Sequence, residues 1–161
     1  MSKIYFAADH AGYALKQALL EHVCTLGYEV EDLGACILDE NDDYPDFVTP
    51  LAERVAGEPG ARGIIVGGSG QGEAMCANRV GGVRAAVFYG PMRVTAALEI
   101  EGGHSEDSYD PIRLARRHND ANVLSLGARF VSGDEAVEAV RLFLETSFSE
   151  SPRHARRIAK F

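Results

Sequence analysis

The residues Ile64-Ile65-Val66-Gly67-Gly68-Ser69-Gly70-Gln71-Gly72-Glu73 carry the densest chemical information in the chain. An apolar run breaks at four glycines, a serine and a carboxylate, and Ala74-Met75-Cys76-Ala77-Asn78 then reads as the first turns of a helix. A strand, glycine loop and helix in that order present a row of backbone N–H groups to an anion. Glu73 in the first helical turn would repel a phosphate. A carboxylate beside an N–H cradle suits a different anion, the enolate that forms when a base removes a proton next to a carbonyl. The spacing Gly67-x-x-Gly70-x-Gly72 is not the G-x-G-x-x-G of a dinucleotide loop, and the Lys-Ser/Thr of a nucleotide-hydrolase loop is missing. Structural explanations compete at each position. Glycines make tight connections, Ser69 can satisfy local backbone, and the helix dipole favours an acid at Glu73 whatever its chemistry.

Three further groups contain polar side chains with chemical potential. Asp9-His10 follows the apolar run Ile4–Ala8 directly; a helix N-cap would explain Asp9 but not His10. His118-Asn119-Asp120 follows Arg113, Arg116 and Arg117, where a solvated helix face ending in a C-terminal cap is the structural alternative. Near the end of the chain, Arg153 and Arg157 stand four residues apart and so share a helix face. Two guanidiniums on one face suit a phosphate, whereas Arg156 and Lys160 read as a fraying basic terminus.

These groups need a scaffold, and the apolar pattern supplies one. Strands are expected at Ile4–Ala8, Tyr28–Leu33 (alternating, hence a sheet edge), Gly63–Val66, Arg84–Phe88 and Asn122–Leu126. Helices are expected from Leu15, Ala18, Leu19, Val23 and Leu26 with Gly27 as the stop, from Phe47, Val48, Leu51, Ala52 and Val55 behind Pro45, and from Ala136, Val137, Val140, Phe143 and Leu144. Alternating strands and helices imply an α/β fold with a parallel sheet covered on both faces. Ligands of such sheets gather at the carboxyl ends of the strands. Asp9-His10, Gly67–Glu73, Tyr89-Gly90 and Gly127-Ala128-Arg129 are therefore expected to converge.

At 161 residues the chain reads as a single domain, 1–161. Its net charge of −8 argues against a nucleic acid or an anionic membrane as the main partner. Cys24, Cys36 and Cys76 are widely spaced with no C-x-x-C pair, which suits a reducing compartment and excludes a zinc ribbon. With no membrane-length apolar run and no signal-peptide pattern, a cytoplasmic location is expected. One stretch breaks the rhythm: the acidic, glycine-containing excursion around 92–110 is too polar for a core element, and reads as a surface excursion or as a flap near the ligand. The segment 152–161 is basic.

Together the pieces resemble the type B ribose-5-phosphate isomerase family, within the wider group that includes galactose-6-phosphate isomerase subunits. The resemblance rests on Ala8-Asp9-His10-Ala11-Gly12, Asp43-Tyr44-Pro45, Gly67 to Glu73, Ala77-Asn78-Arg79, Arg117 to Leu124, Gly127-Ala128-Arg129 and Arg153-His154-x-x-Arg157, which span nearly the whole chain in one order. It implies a Rossmann-like three-layer α/β/α fold with a five-stranded parallel sheet, and a homodimer or tetramer whose sites combine residues of two chains. It also implies interconversion of an aldose phosphate and its ketose, most simply D-ribose 5-phosphate and D-ribulose 5-phosphate, through a cis-enediolate.

In the roles that the resemblance implies, His118 and Asp9 open the sugar ring and Glu73 moves the proton between carbons. The N–H groups of Gly68, Ser69, Gly70, Gln71 and Gly72, with the Ser69 hydroxyl, hold the enediolate oxygen. His10, Arg129, Arg153 and Arg157 hold the phosphate, and Asn119 a sugar hydroxyl; Tyr44 and His154 are further candidates. No metal and no other cofactor is called for. Many members place a cysteine base just before the glycine loop, where this chain has Gly67; Glu73 matches the branch that uses a glutamate. The alternatives are an isomerase of a six-carbon sugar phosphate (allose or galactose 6-phosphate), an obligate subunit of a two-protein isomerase, and a non-catalytic sugar-phosphate-binding module.

Overall fold

A computed structural model describes residues 3–98 and 106–161. Its elements alternate as the apolar pattern predicts: β1 (Lys3–Ala8), α1 (Tyr13–Thr25), β2 (Glu29–Asp32), α2 (Pro45–Gly57), β3 (Arg62–Gly67), α3 (Gln71–Ala77), β4 (Ala85–Phe88), α4 (Asp110–Asn119), β5 (Val123–Gly127), α5 (Gly133–Glu145) and α6 (Pro152–Ile158). The five strands form one parallel sheet in the order β2-β1-β3-β5-β4. Strand side chains alternate between its faces. Ile4, Phe6, Ile64, Val66, Leu124 and Leu126 point to one side, where they pack with Leu19 and Val23 of α1, Ile112 of α4 and Val140 and Phe143 of α5. Tyr5, Ala7, Ile65 and Val123 point to the other and meet Val48, Leu51 and Val55 of α2 and Ala77 of α3. The result is the expected three-layer α/β/α arrangement.

The strand order creates a switch point. From β1 the chain crosses to β2 on one side, and from β3 it crosses to β4 on the other, so the loops after β1 and β3 diverge and leave a crevice at the carboxyl ends of those strands. Asp9 and Gly67 stand at its two lips.

Helix α1 departs from the apolar pattern. Ala18 is exposed and Leu26 is 41% exposed, while Lys16 is fully buried. The Lys16 ammonium donates to both carboxylate oxygens of Asp32 at 2.6 Å and to the Ala35 carbonyl at 2.8 Å, which ties α1 to the loop after β2. Hydrophobic periodicity cannot register a lysine that is buried by its partners.

The two sheet edges are finished differently. On β2, Glu29 and Glu31 form ion pairs with Lys3 of β1. On β4, the Asn78 side chain pairs with one residue twice: its amide donates to the Ala85 carbonyl at 3.0 Å, and its oxygen accepts from the Ala85 N–H at 2.7 Å.

The excursion around 92–110 closes at its base. Met92 N–H donates to the Ser108 carbonyl at 2.8 Å, Tyr109 stacks on Phe88 with centroids 5.7 Å apart, and Asp107 forms an ion pair with Arg113 of α4. Its central part, 99–105, lies outside the described residues.

Replacing Lys16 with Met keeps the bulk but leaves Asp32 without its counter-charge, with the Gly34 N–H still bound to Oδ1, and the Ala35 carbonyl without the ammonium donor. Because Asp32 is partly exposed and can hydrate, the expected loss is about 3 kcal/mol, the low end for a broken buried pair, measured by urea unfolding.

Candidate active site

The glycine loop follows β3 and opens α3, and two local constraints set its shape. Gly70 lies in the left-handed region (φ +73°) as the residue that leads into α3, and its carbonyl accepts from Ser125 Oγ at 2.7 Å. A Cβ on Gly67 would lie 1.7 Å from Glu73 Oε1. The Glu73 carboxyl thus folds back from the first turn of α3 into the space that a residue-67 side chain would fill. There it is 4% exposed, and burial raises its pKa above the ordinary carboxylate value, with the charge of Asp9 adding to the rise and a backbone N–H opposing it. A buried, proton-hungry carboxylate beside a glycine loop is suited to take a proton from carbon.

Ser69 is half-buried, and its Oγ accepts from Gln71 N–H at 3.3 Å. It therefore has a structural bond as well as a place in the loop. Asp9 is 7% exposed, and its Oδ1 accepts from Ala11 N–H at 3.0 Å and Gly12 N–H at 3.2 Å, so it holds the turn into α1 while standing near Glu73. Tyr44, the residue before α2, reaches the loop: a Cβ on Gly72 would lie 2.7 Å from its Oη. The Arg129 guanidinium lies over Gly68, within 3.2 Å of where a Cβ would be. Asp9, His10, Tyr44, Gly68 to Glu73 and Arg129 thus form one group at the carboxyl end of the sheet.

One member of this group is invisible in the local sequence pattern. Asp42, in the loop between β2 and α2, accepts from both the backbone N–H and the Nδ1 of His10, at 3.0 and 2.7 Å. It sits in an acidic run that reads as solvated surface, next to the Asp43-Tyr44-Pro45 motif, and only the fold brings it to a residue 32 positions away. Among the described residues, Asp9, His10 and Asp42 could offer metal ligands within 4.8 Å of one another. The hydrogen bond already joining Nδ1 to Asp42 makes His10 and Asp42 a carboxylate–imidazole pair, beside an Asp9 that holds the turn before α1 rather than capping it, since Gly12 is the N-cap.

The other sequence-predicted residues lie elsewhere. His118 and Asn119 end α4, and Asp120 rather than His118 is its cap, in the left-handed region at φ 45°. The Asn119 carbonyl accepts from Arg84 Nε, just before β4, and Asn122 N–H donates to the Arg84 carbonyl just before β5. His118 and Asn119 therefore stand at the amino ends of β4 and β5. The His118 ring stacks on His154 of α6 with centroids 4.2 Å apart, and α6 also carries Arg153, half-buried, and Arg157, exposed. Since Gly67 pairs with Gly127 at the far end of β5, roughly 15 Å of strand separates the Glu73 group from the His118 end of the sheet.

Fold and site together define a three-layer α/β protein with a buried carboxyl group at a topological switch point. The chain belongs to the Ribose/Galactose Isomerase family, whose model matches residues 4–104 and 99–161. It is 40% identical over 156 residues to ribose-5-phosphate isomerase B of Mycobacterium tuberculosis (strain CDC 1551 / Oshkosh), covering 97% of this chain and 85% of that protein. It is 34% identical over 158 residues to ribose-5-phosphate isomerase B of Escherichia coli (strain K12), covering 98% and 93%. Among solved structures, ribose-5-phosphate isomerase B of Mycoplasma genitalium with bound ribulose-5-phosphate superposes with a TM-score of 0.84 at 38% identity, over 98% of this chain and 92% of that one.

Gly67→Ala is expected to expel the Glu73 carboxyl and to lower turnover about as far as Glu73→Gln does, by about 10²–10⁴-fold, measured in steady-state assays. Glu73→Gln also has a stability consequence. Because folding raises the Glu73 pKa, its favourable contribution is complete below the ordinary carboxylate value and is lost as pH rises through the folded value. At neutral pH the Gln variant should therefore resist urea better than the wild type, and the difference should vanish in acid.

Proposed function

We propose that this protein is an aldose–ketose isomerase that interconverts D-ribose 5-phosphate and D-ribulose 5-phosphate, working as a homodimer or a tetramer built from such dimers. The observation that carries the chemistry is the Glu73 carboxyl, buried in the space left by Gly67 at the mouth of the glycine loop. In this reading Glu73 takes the proton from the carbon next to the carbonyl and returns it to the neighbouring carbon. The loop N–H groups and Ser69 stabilise the enediolate oxygen between the two transfers, each donor contributing roughly 2.7–4 kcal/mol. His10 and Arg129 meet the phosphate from the same chain. Only proton transfers are involved, and the three cysteines, all free, take no part; free thiols fit the cytoplasmic location we propose.

Ring opening needs a second proton donor within hydrogen-bond reach of the same sugar. His118 supplies it only from another copy, because in its own chain it sits at the opposite end of the sheet. With His118 come Asn119 for a sugar hydroxyl and Arg153 and Arg157 for the phosphate, and His154 supports the His118 ring by stacking. In a two-fold dimer each site would then combine the Glu73 group of one copy with the His118 group of the other.

A second reading concerns the size of the sugar. The segment that leads into the excursion borders the site: Tyr89 packs edge-on against Phe130, the residue after Arg129, with centroids 5.6 Å apart. A longer sugar phosphate would extend along that rim. Comparing ribose 5-phosphate with allose 6-phosphate and galactose 6-phosphate by kcat/KM decides between them.

Solvent deuterium should enter the substrate at the carbons beside the carbonyl during turnover, and a protein that only binds the sugar phosphate would incorporate none. Mixing Glu73→Gln chains with His118→Gln chains, each inactive alone, should restore about a quarter of wild-type activity, because half the dimers are mixed and each mixed dimer has one intact site of two. A mixture as inactive as its components would place the whole site within one chain.

A further inference from the structure

We propose that Asp42 is a positioning residue for phosphate binding: it fixes the orientation of the His10 ring with Nδ1 toward its carboxylate, so that Nε2 faces the phosphate and the protonated ring offers it Nε2–H. The inference rests on the isomerase reading for its substrate, while the pairing of His10 with Asp42 stands on geometry.

The Asp42 side chain is 8% exposed. Its own loop fixes it, with Asp42 N–H donating to the Asp39 carbonyl at 3.1 Å and Asn41 N–H donating to Asp39 Oδ1 at 3.0 Å. Asp42 Oδ1 accepts twice from His10, from backbone and from ring, so ring and main chain are clamped to one oxygen. A carboxylate can only accept, so Nδ1 carries a proton and Nε2 is the ring's remaining nitrogen. The second oxygen, Oδ2, is buried without a hydrogen-bond partner. A carboxylate with one oxygen unsolvated needs a nearby counter-charge, and the imidazolium provides it.

The charges facing His10 are Asp42, Asp9 and Arg129. The hydrogen bond to Asp42 raises its pKa most, the charges of Asp9 and Asp42 add to the rise, and Arg129 and partial burial oppose it. The sign follows. Phosphate binding through His10 is complete below the raised pKa and declines as pH climbs through it. Without the Asp42 charge that decline moves to lower pH.

The test is Asp42→Asn, which keeps the shape and an accepting oxygen while removing the charge. Histidine resonances are followed by NMR across pH, without ligand and with inorganic phosphate, and kcat and KM for ribose 5-phosphate are measured over the same range. The His10 midpoint should lie above the ordinary value in the wild type and fall in the variant, since the Asp42 hydrogen bond is the largest cause of the rise. Between the two midpoints the variant should bind phosphate several-fold more weakly and show a matching rise in KM, with kcat changing little and the difference closing in acid. In a His10→Gln background, Asp42→Asn should raise KM no further. An unchanged His10 midpoint, a fall in kcat at constant KM, or a further rise in KM in the His10→Gln background would each overturn the proposal. A wild-type protein that binds phosphate with the expected titration but isomerises no sugar would instead remove the isomerase reading and leave the role of Asp42 standing.

Discussion

The Glu73 carboxyl and a side chain at position 67 cannot coexist, since a Cβ there would lie 1.7 Å from Oε1. Much of the site depends on that exclusion. It buries the carboxyl, burial strengthens its hold on a proton, and its place at the loop mouth aligns it with the N–H row that would receive negative charge. The resemblance drawn from the sequence says that relatives place a cysteine base at position 67. In this chain the space of that side chain is filled by the carboxyl of a residue six positions later. Two different side chains, reached from two different backbone positions, can thus deliver a base to one point, and each shuts out the other.

The scaffold limits where these groups can go. Parallel strands with opposite crossovers leave a crevice between β1 and β3, and Asp9, just after β1, and Gly67, the last residue of β3, stand at its lips. Asp9 satisfies the N–H groups of Ala11 and Gly12 with the same side chain that places a negative charge near Glu73. Ser125, fully buried in β5, holds the Gly70 carbonyl and so anchors the loop from beneath. The Glu73 group is held by neighbours that serve the fold and the site together.

How much of this was legible in the sequence varies with the range of the interaction. Strands β1, β3 and β5 were plain because their apolar runs are buried on both faces, and the glycine loop was plain because its signal is local. Lys16 was not, since its burial is offset by Asp32 and Ala35, which no periodicity encodes. Asp42 was missed for the same reason: its partner lies 32 residues away, and its neighbours read as solvated acid. That the site residues divide between two chains comes from the resemblance rather than from the residues themselves, because chain order says nothing about which end of a sheet the last turn of α4 reaches. The centre of the 92–110 excursion lies outside the described residues, while its base was foreseeable only as a polar interruption.

The treatment of the sheet edges has a consequence for how copies of this chain can meet. An open edge strand offers its free N–H and C=O groups to any other strand, the usual route to runaway association. Here β2 carries charge, and on β4 the Asn78 amide occupies the outward N–H and C=O of Ala85 as a neighbouring strand would. One of the outward-facing residues of the four-residue strand β4 is thereby occupied by a side chain. Such an edge disfavours merging two sheets into a continuous ribbon, so that an association of copies would have to use helices and loops, where shape and charge select the partner.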